Sequence, residues 1–570
     1  MQPQANIRRS VFDRSHVYKT AFDEGKLIPF FVDEVIPGDT FKLSFTSFCR
    51  LATPICPFMD NLYFETFWFF VPYRLVWDNW VRMCGEQDNP EDSTDFTVPL
   101  FSFIGSGVNS IGTLYDYFGL GTFDFASSSS SSLRKLVSAL PFRAYWLIWN
   151  EWFRDENLQK SVKVSKGDTN IILDSMGEGT ANPNYGFPSG ISNSYECAPR
   201  GKRYDYFTGC LPWPQKGPGV ELPLGTIANV ESNGEPFQLT TQANYVPSGA
   251  DTTKNFSLVG SALGHSDELI YHQISSPVWK NVTTSGLPNN SGGSSTSSGS
   301  LKLDPFYYAN GLQVNLQSAT AITINSLRQA FMLQRYYEID ARGGTRYTEK
   351  IQAHFGVTNP DSRLQRSEFL GSTSSMFNIS PIAQTSSTDS TSPQGNLAAI
   401  GVNGQTQFAF NKSFTEFGVI IGLCNVRADL TYQQGIDRMW SRSDVLDFYW
   451  PSFAHLGEQA VFNKEIYAQG SDEDDEVFGY QERYAEYRYK PSRITGAFRS
   501  TYNQTLDVWH LSQKFDSLPT LGDQFIQDHP PISRVVAVPS QPHFLLDVKF
   551  NLKCIRPLPV YGIPGNTPYL

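Results

Sequence analysis

The sequence lacks the short motifs that mark common catalytic sites. It contains no GxxxxGK[ST] phosphate loop, no HExxH zinc motif and no GxSxG nucleophile elbow. A lone SxxK stands at Ser132–Lys135 beside a serine tract, and without companion motifs we attribute it to chance. Paired carboxylates for acid–base catalysis cannot be located without a fold. We therefore predict a protein that is not an enzyme and uses no cofactor.

Cysteine is scarce and follows no pattern. The seven cysteines include no CxxC pair, and the spacing of Cys49 and Cys56 is unlike that of zinc ligands. An odd number without a disulfide framework indicates a reducing compartment such as a cytoplasm. His265 and His272 have no third ligand near them, so local polar roles are preferred and we predict no metal site.

Segments for export or membrane insertion are also missing. The first ten residues, MQPQANIRRS, contain no apolar signal core. The densest apolar run, Leu62–Val71, is much shorter than a membrane span and contains Glu65. We therefore predict a chain that does not insert into membranes.

Charged residues make up only 18% of the chain, and the net charge is −11. Such a chain cannot neutralise nucleic acid by its overall charge, so enclosing a genome would require a basic partner or a local basic patch. Aromatic residues are plentiful at 14%, which suits large buried surfaces in a core or between copies of the chain. The 44 glycines and 35 prolines favour many short elements joined by turns, as in a β-rich fold.

Four segments have the patterns of β-strands. Phe41–Cys49 and Phe544–Cys554 alternate apolar and polar residues, which is typical of a strand with one buried and one wet face. Leu62–Val71 is almost continuously apolar, which favours a strand covered on both faces, and Phe417–Cys424 is a compact fourth candidate.

Only two helices are predicted with clear signals. Tryptophans at helical spacing indicate a helix over Leu140–Leu158, and a capping-box pattern at Ser326 predicts a second one through about Tyr337. Strand signals near both ends of the chain, with long excursions between them, favour a mainly β fold. We predict a two-sheet jelly roll with long inserted loops and a few helices.

The composition changes after residue 216. Residues 217–300 contain two lysines, no arginine and six acidic residues, and they end in a tract rich in Ser, Gly and Asn. An insertion that projects from the main body fits this composition best. We therefore divide the chain into an N-terminal arm (1–40), a first part of the body (41–216), the insertion (217–300) and a second part of the body (301–570).

Two clusters of cations have two interpretations each. Arg8, Arg9 and Arg14 precede the first strand and form either an arm that contacts DNA or a solvated or interface-bound terminus. The aromatic residues of the second cluster suit either base stacking or an interface between subunits, and the interface is preferred. Its candidate residues are Tyr484, Tyr487, Arg488 and Tyr489.

Two further segments have a structural and a binding interpretation. Gly343-Gly344, between Arg342 and Arg346, forms either a tight turn or a backbone site for phosphate. The acidic run 472–476 is either a solvated loop or a calcium site, although it lacks the spaced ligands of a calcium loop. The structural interpretation is preferred in both cases.

Long stretches of the sequence resemble the major capsid protein of microviruses, and the polar insertion after LPWPQKGP (211–218) resembles the gokushovirus branch. The likeness covers almost the whole chain except 217–300 and the loop near 384–407. The stretches are PFMDNLYFETFWFFVPYRLVWDNW (57–80), RQAFMLQRYYEIDARGGTRYTEKIQAHFGV (328–357), NVRADLTYQQGIDRMWSR (425–442), EIYAQG with DEVFGYQERYAEYRYKPSRITGAFRS (465–500) and HLSQKFDSLPTL (510–521).

This resemblance implies one eight-stranded antiparallel jelly roll per subunit. It implies about sixty copies in a T=1 icosahedral shell around circular single-stranded DNA, assembled in the cytoplasm of a bacterial host and found in the virion. The expected partners are a small basic DNA-packaging protein, a minor pilot protein and a host surface receptor. The insertion is expected at the three-fold axes, with Asn289, Asn290, Ser291 and Gly292 as candidates for receptor contact.

The alternative is a jelly-roll carbohydrate-binding protein or glycoside hydrolase. Its aromatic residues would line a sugar groove. The lack of a signal peptide and of an identifiable acid pair argues against this alternative.

Overall fold

The computed structural model describes residues 7–102, 110–121, 136–173, 185–220, 324–390 and 393–561, and six short strands within 230–314. The chain forms two compact units. One, the body, comprises Met1–Gly217 and Tyr337–Leu570, and the other comprises Pro218–Tyr336. The predicted insertion began at 217 and ended at 300; these boundaries stay a prediction.

Most regular elements of the chain are β-strands. They are β1 Ser10–Asp13, β2 His16–Phe22, β3 Ile28–Val35, β4 Thr40–Leu51, β5 Leu62–Pro72, β6 Leu100–Ser102, β7 Leu136–Ser138, β8 Val230–Ser232, β9 Phe237–Thr240, β10 Lys254–Leu258, β11 Leu269–Gln273, β12 Trp279–Val282, β13 Leu312–Val314, β14 Glu368–Met376, β15 Asn378–Ala383, β16 Leu397–Ser413, β17 Gly418–Ala428, β18 Glu458–Phe462, β19 Val477–Glu482 and β20 Phe544–Arg556.

Over the described ranges the helices are few and mostly short. They are α1 Trp80–Met83, α2 Leu114–Tyr117, α3 Leu140–Ile148, α4 Ile324–Gly343, α5 Tyr347–Phe355, α6 Asn463–Ile466 and α7 Asp523–Ile526. Within the described part of the chain, no helix has the length and apolar character needed to cross a bilayer.

Eight strands of the body form two antiparallel sheets with jelly-roll connections. The first sheet has the order β2-β20-β4-β16, extended by β1 and β15, and the second has the order β14-β5-β17-β3. Along the chain the strands pass from one sheet to the other and back, except that β5 and β14 lie in the same sheet. This arrangement confirms the predicted eight-stranded antiparallel jelly roll.

The core lies between the two sheets and is rich in aromatic side chains. Trp68 of β5 is fully buried, and its ring centroid lies 5.6 Å from that of Phe45 in β4 and 6.2 Å from that of Phe550 in β20. Alternate residues of β4 and β20 point into this core, as their sequence patterns predicted. Burial of each such side chain contributes about 1.5–3 kcal/mol.

The two central strands of the second sheet, β5 and β17, are covered on both faces. All residues of β17 are buried, and nine of the eleven in β5 are buried. On the outer face Phe69 contacts Trp152, and Phe67 contacts Phe153 in an edge-to-face arrangement. This coverage explains why β5 is almost continuously apolar in sequence.

Both predicted helices exist, but their boundaries differ from the prediction. The first, α3, continues as a π-helical turn and ends at Phe153, not at Leu158. Arg154 is extended, and the Asp155 carboxylate accepts backbone hydrogen bonds from Asn157 and Leu158 to start a separate turn. The second helix, α4, begins at Ile324, so Ser326 lies inside it and is not its cap.

Candidate assembly surface

A stretch of the body between β17 and β18 exposes large apolar side chains to solvent. It contains three short 3₁₀ turns, Arg438–Ser441, Val445–Asp447 and Pro451–Phe453. Together with Tyr487, the exposed side chains form what we call the assembly surface: Ile436, Met439, Trp440, Val445, Leu446, Phe448, Tyr449, Trp450 and Leu456.

Backbone hydrogen bonds to acidic side chains fix the turns of this surface. The Asp437 carboxylate accepts the Met439 N–H at 3.3 Å, and the Asp447 carboxylate accepts the Asp444 N–H at 3.0 Å. The Trp450 indole donates to the Val445 carbonyl at 2.9 Å. These contacts give the exposed segment one defined conformation although it has no regular partner strand.

Buried ion pairs hold the surface to the body from below. Arg438 lies 3.2 Å from Glu465, and Arg442 lies 3.2 Å from Glu486. Burial raises the pKa of the Glu465 carboxyl, although Arg438 opposes that rise. Both carboxylates are almost completely buried, so these cations are committed to the subunit's own structure.

The interface candidates predicted from sequence lie beside this surface. Tyr484 is buried and donates a hydrogen bond to the Phe448 carbonyl at 3.2 Å, so it supports the surface from beneath. Tyr487 is exposed and its ring centroid lies 6.1 Å from that of Tyr449. Arg488 is exposed and pairs with Glu482, whereas Tyr489 is half-buried against a second, smaller core.

The other candidate residues lie elsewhere. Arg8 and Arg9 are exposed immediately before β1, whereas Arg14 pairs with Asp33 at 2.5 Å. The receptor-contact candidates 289–292 and the SxxK segment 132–135 lie outside the described residues, as do His265 and the side chain of His272.

The glycine pair and the acidic run serve local structure. Gly344 adopts φ +103° between α4 and α5, where an added Cβ would collide with the Glu349 side chain. Within the acidic run, the Asp474 carboxylate accepts the backbone N–H of Gly470 at 2.8 Å, and Asp475 pairs with Lys464 at 2.6 Å. Both arrangements agree with the structural interpretations preferred from sequence.

One group of three side chains among the described residues offers the atoms of a metal site. His543 Nδ1 lies 2.6 Å from Glu24 and 3.7 Å from Asp23. The hydrogen bond to Glu24 raises the pKa of His543. We assign this group as an ion pair that ties the turn after β2 to the start of β20.

Sequence reasoning missed the main part of the assembly surface. The available signal was the density of aromatic residues at Trp440, Phe448, Tyr449 and Trp450 in a segment without helix or strand periodicity. Such residues are usually expected in a core, and only the structure places them in solvent. Tyr, Trp, Phe and Met are also the side chains enriched at contacts between subunits.

Comparison with known proteins gives full-length matches. A sequence model of the family described as capsid protein (F protein) matches residues 1–566. Capsid protein VP1 of Chlamydia phage 1 is 44% identical, and the match covers 99% of this chain and 96% of the relative. Capsid protein VP1 of Bdellovibrio phage phiMH2K is 41% identical, and the match covers 99% of this chain and 96% of the relative. Capsid protein VP1 of Spiroplasma virus 4 is 35% identical, and the match covers 98% of this chain and 96% of the relative.

Proposed function

The chain belongs to the capsid protein (F protein) family and is a structural protein of the virion, and we propose that about sixty copies close into a T=1 icosahedral shell around circular single-stranded DNA. The observation that carries the self-assembly is the exposed, internally anchored assembly surface. The glycoside hydrolase alternative is set aside, because the family is structural.

The assembly surface supports contact with a second copy of the chain. Large apolar patches on soluble proteins mark interaction sites, because leaving them in water is unfavourable. Here the patch is aromatic and its neighbouring cations are already paired, as with Arg442 and Glu486. When identical subunits repeat the same contact and are related by the rotations of a closed point group, they form a closed shell.

The overall charge supports a basic packaging partner. The subunit carries a net charge of −11, so its average effect on packaged phosphates is repulsive. A small basic protein that enters with the genome would supply the missing positive charge. The proposed virion also contains a minor pilot protein. Assembly of the virion is proposed to take place in the cytoplasm of the bacterial host.

The insertion is the proposed attachment element. Its polar composition with few cations suits a solvated projection, and we place it at the three-fold axes with receptor contact at Asn289, Asn290, Ser291 and Gly292. The flanking body supports an excursion that leaves and returns at one place, because the Lys216 N–H donates to the Tyr337 carbonyl at 3.4 Å.

Particle formation tests the shell. Expression of the full chain with its viral partners in a bacterial host should give closed particles of one diameter by electron microscopy, with nuclease-protected single-stranded DNA inside. A control strain that expresses the viral partners without this chain should contain no particles. Purified protein that stays monomeric with DNA and basic partner present would contradict the proposal.

Excision of the second unit, Pro218–Tyr336, which contains nearly all of the predicted insertion, tests the role of the insertion. Deleting Pro218–Tyr336 and joining Gly217 to the body by a short Gly/Ser linker should leave thermal unfolding within a few degrees, because the two ends of the body already touch. Particles should still form, and their binding to host cells should be lost. The matched control carries the same linker inserted between Gly217 and Pro218 with nothing deleted. This role would be refuted if particles built from the deletion variant bound host cells as well as the wild type does, or if the body no longer folded.

A further inference from the structure

The two sheets of the body differ in how they are covered. In the second sheet the outer face of the central strands β5 and β17 is buried, with Trp152 and Phe153 packed against β5, and exposed outward residues lie on the edge strand β14. The outer face of the first sheet is open, because every second residue of β20 through Ile555 and most outward residues of β4 are exposed. We propose that this open face, which the family comparison does not assign, binds single-stranded DNA; the inference rests on the proposed genome-enclosing function.

The open face is basic although the chain is acidic. Its charged side chains on β1, β2, β4 and β20 are five cations and two anions, a net charge of +3, whereas the whole chain carries −11. They are Lys19, Lys42, Arg50, Lys549, Lys553, Asp13 and Asp547. Segregation of positive charge onto one face points to an anionic partner.

The strand register places like charges opposite each other on this face. Lys42 of β4 is the cross-strand partner of Lys553 in β20, and such pairs destabilise a sheet in the absence of an anion. On the other side of β20, Asp13 of β1 is the cross-strand partner of Lys553. This row of side chains across the three strands therefore contains a single carboxylate for the ammonium groups of Lys42 and Lys553. Among the described residues, neither Lys42 nor Arg50 takes part in an ion pair, unlike Arg438 and Arg442 of the assembly surface.

Two exposed aromatic rings lie between these cations. Phe48 of β4 is 50% exposed and Phe408 of β16 is 54% exposed. Phe408 is paired with Ser44, so the two rings are offset by about 13 Å along the strands at the usual rise per residue. Gly404 opposite Phe48 leaves the space beside that ring open.

Single-stranded nucleic acid fits this combination better than a protein does. Cations that contact phosphates and rings that stack on bases, without paired acceptors for specific readout, are the features of surfaces that bind single strands without sequence preference. A basic packaging protein would be repelled by the same charges. Arg8 and Arg9, two of the candidates for DNA contact, lead into β1 of this sheet and therefore adjoin the open face.

The test compares two quadruple variants of the full-length unassembled subunit. One replaces the face cations (Lys42→Gln, Arg50→Gln, Lys549→Gln, Lys553→Gln). The matched control removes four exposed cations outside this sheet (Lys160→Gln, Lys166→Gln, Arg363→Gln, Arg499→Gln). Binding of a fluorescein-labelled 20-nucleotide oligo(dT) is followed by anisotropy between 50 and 200 mM salt, and circular dichroism checks the fold.

The face variant should lose affinity by about 100-fold at 100 mM salt, and its slope of log K against log[salt] should fall by about 3, since each phosphate contact on a single strand contributes about 0.7. The control should stay within about twofold. Phe48→Leu with Phe408→Leu should weaken binding by about tenfold or more with an unchanged salt slope, because stacking is lost and charge is kept.

Three results would overturn the assignment. These are a wild-type subunit that does not bind the oligonucleotide, equal losses in both quadruple variants, and a face variant that binds DNA normally but fails to assemble. The last result would identify the face as a subunit contact. The proposed shell function is tested separately and fails if no closed particles form. If particles containing DNA do form but the face variant binds the oligonucleotide as tightly as the wild type, only the inference is refuted.

Discussion

Replacing Arg427 with methionine is expected to lower the free energy of unfolding of the subunit by about 3–5 kcal/mol, because it removes the bidentate partner of a carboxylate inside the body. The carboxylate is that of Glu65 in β5, and Arg427 lies on the adjacent strand β17. The guanidinium contacts it with two nitrogens, Nη2 at 2.8 Å and Nε at 2.9 Å, and both side chains are about nine-tenths buried. A third hydrogen bond joins Arg427 to the Gly201 carbonyl at 3.0 Å.

The measurement is urea unfolding of the unassembled subunit. Arg82→Met serves as the control, because its partner Asp88 lies 3.1 Å away on the surface and such pairs contribute about 0–1 kcal/mol. The double variant Glu65→Met with Arg427→Met should recover most of the lost stability, since it removes the buried charge along with its partner. Equal costs for Arg427→Met and Arg82→Met would show that the buried pair is well solvated or dispensable.

The sheets of this fold are largely encoded in local pattern. Alternation in Phe544–Cys554 predicted the half-exposed strand β20, and the continuous apolar run Leu62–Val71 predicted the doubly covered strand β5. Both predictions are confirmed because the number of covered faces determines the apolar period directly. Helix ends are encoded less clearly, since the sequence around Ser326 has the pattern of a capping box but α4 already includes Ile324.

The candidate site was predictable only in part. Tyr484 and Tyr487 stood out because aromatic and cationic residues alternate around them, and the structure places both at the assembly surface. Trp440 and Trp450 gave no comparable signal, because single 3₁₀ turns have no apolar periodicity. Whether such a side chain is buried or exposed depends on what packs over it, which is a property of the folded body and of its neighbours.

Replacing Trp440 with serine is expected to abolish assembly at concentrations where the wild-type chain forms particles, while the subunit stays folded. The Trp440 side chain is 73% exposed, and its indole donates no hydrogen bond to another described residue. Its removal therefore costs the isolated subunit little. In a contact between copies, a buried tryptophan of this kind typically contributes about 2 kcal/mol or more, which corresponds to about a 30-fold weaker contact.

Because a closed shell repeats the same contact in every subunit, this loss recurs around the whole particle and raises the concentration needed for assembly by at least that factor. Light scattering against protein concentration measures the threshold, and thermal unfolding of the subunit should change by no more than about 2 °C. Ile111→Ser is the matched control, since Ile111 is 86% exposed outside the assembly surface. An unchanged threshold for Trp440→Ser would remove this side chain from the contact, and an equal shift for both variants would assign the effect to general loss of apolar surface. A selective shift for Trp440→Ser ties shell formation to a segment that the body holds in place through Arg438 and Arg442.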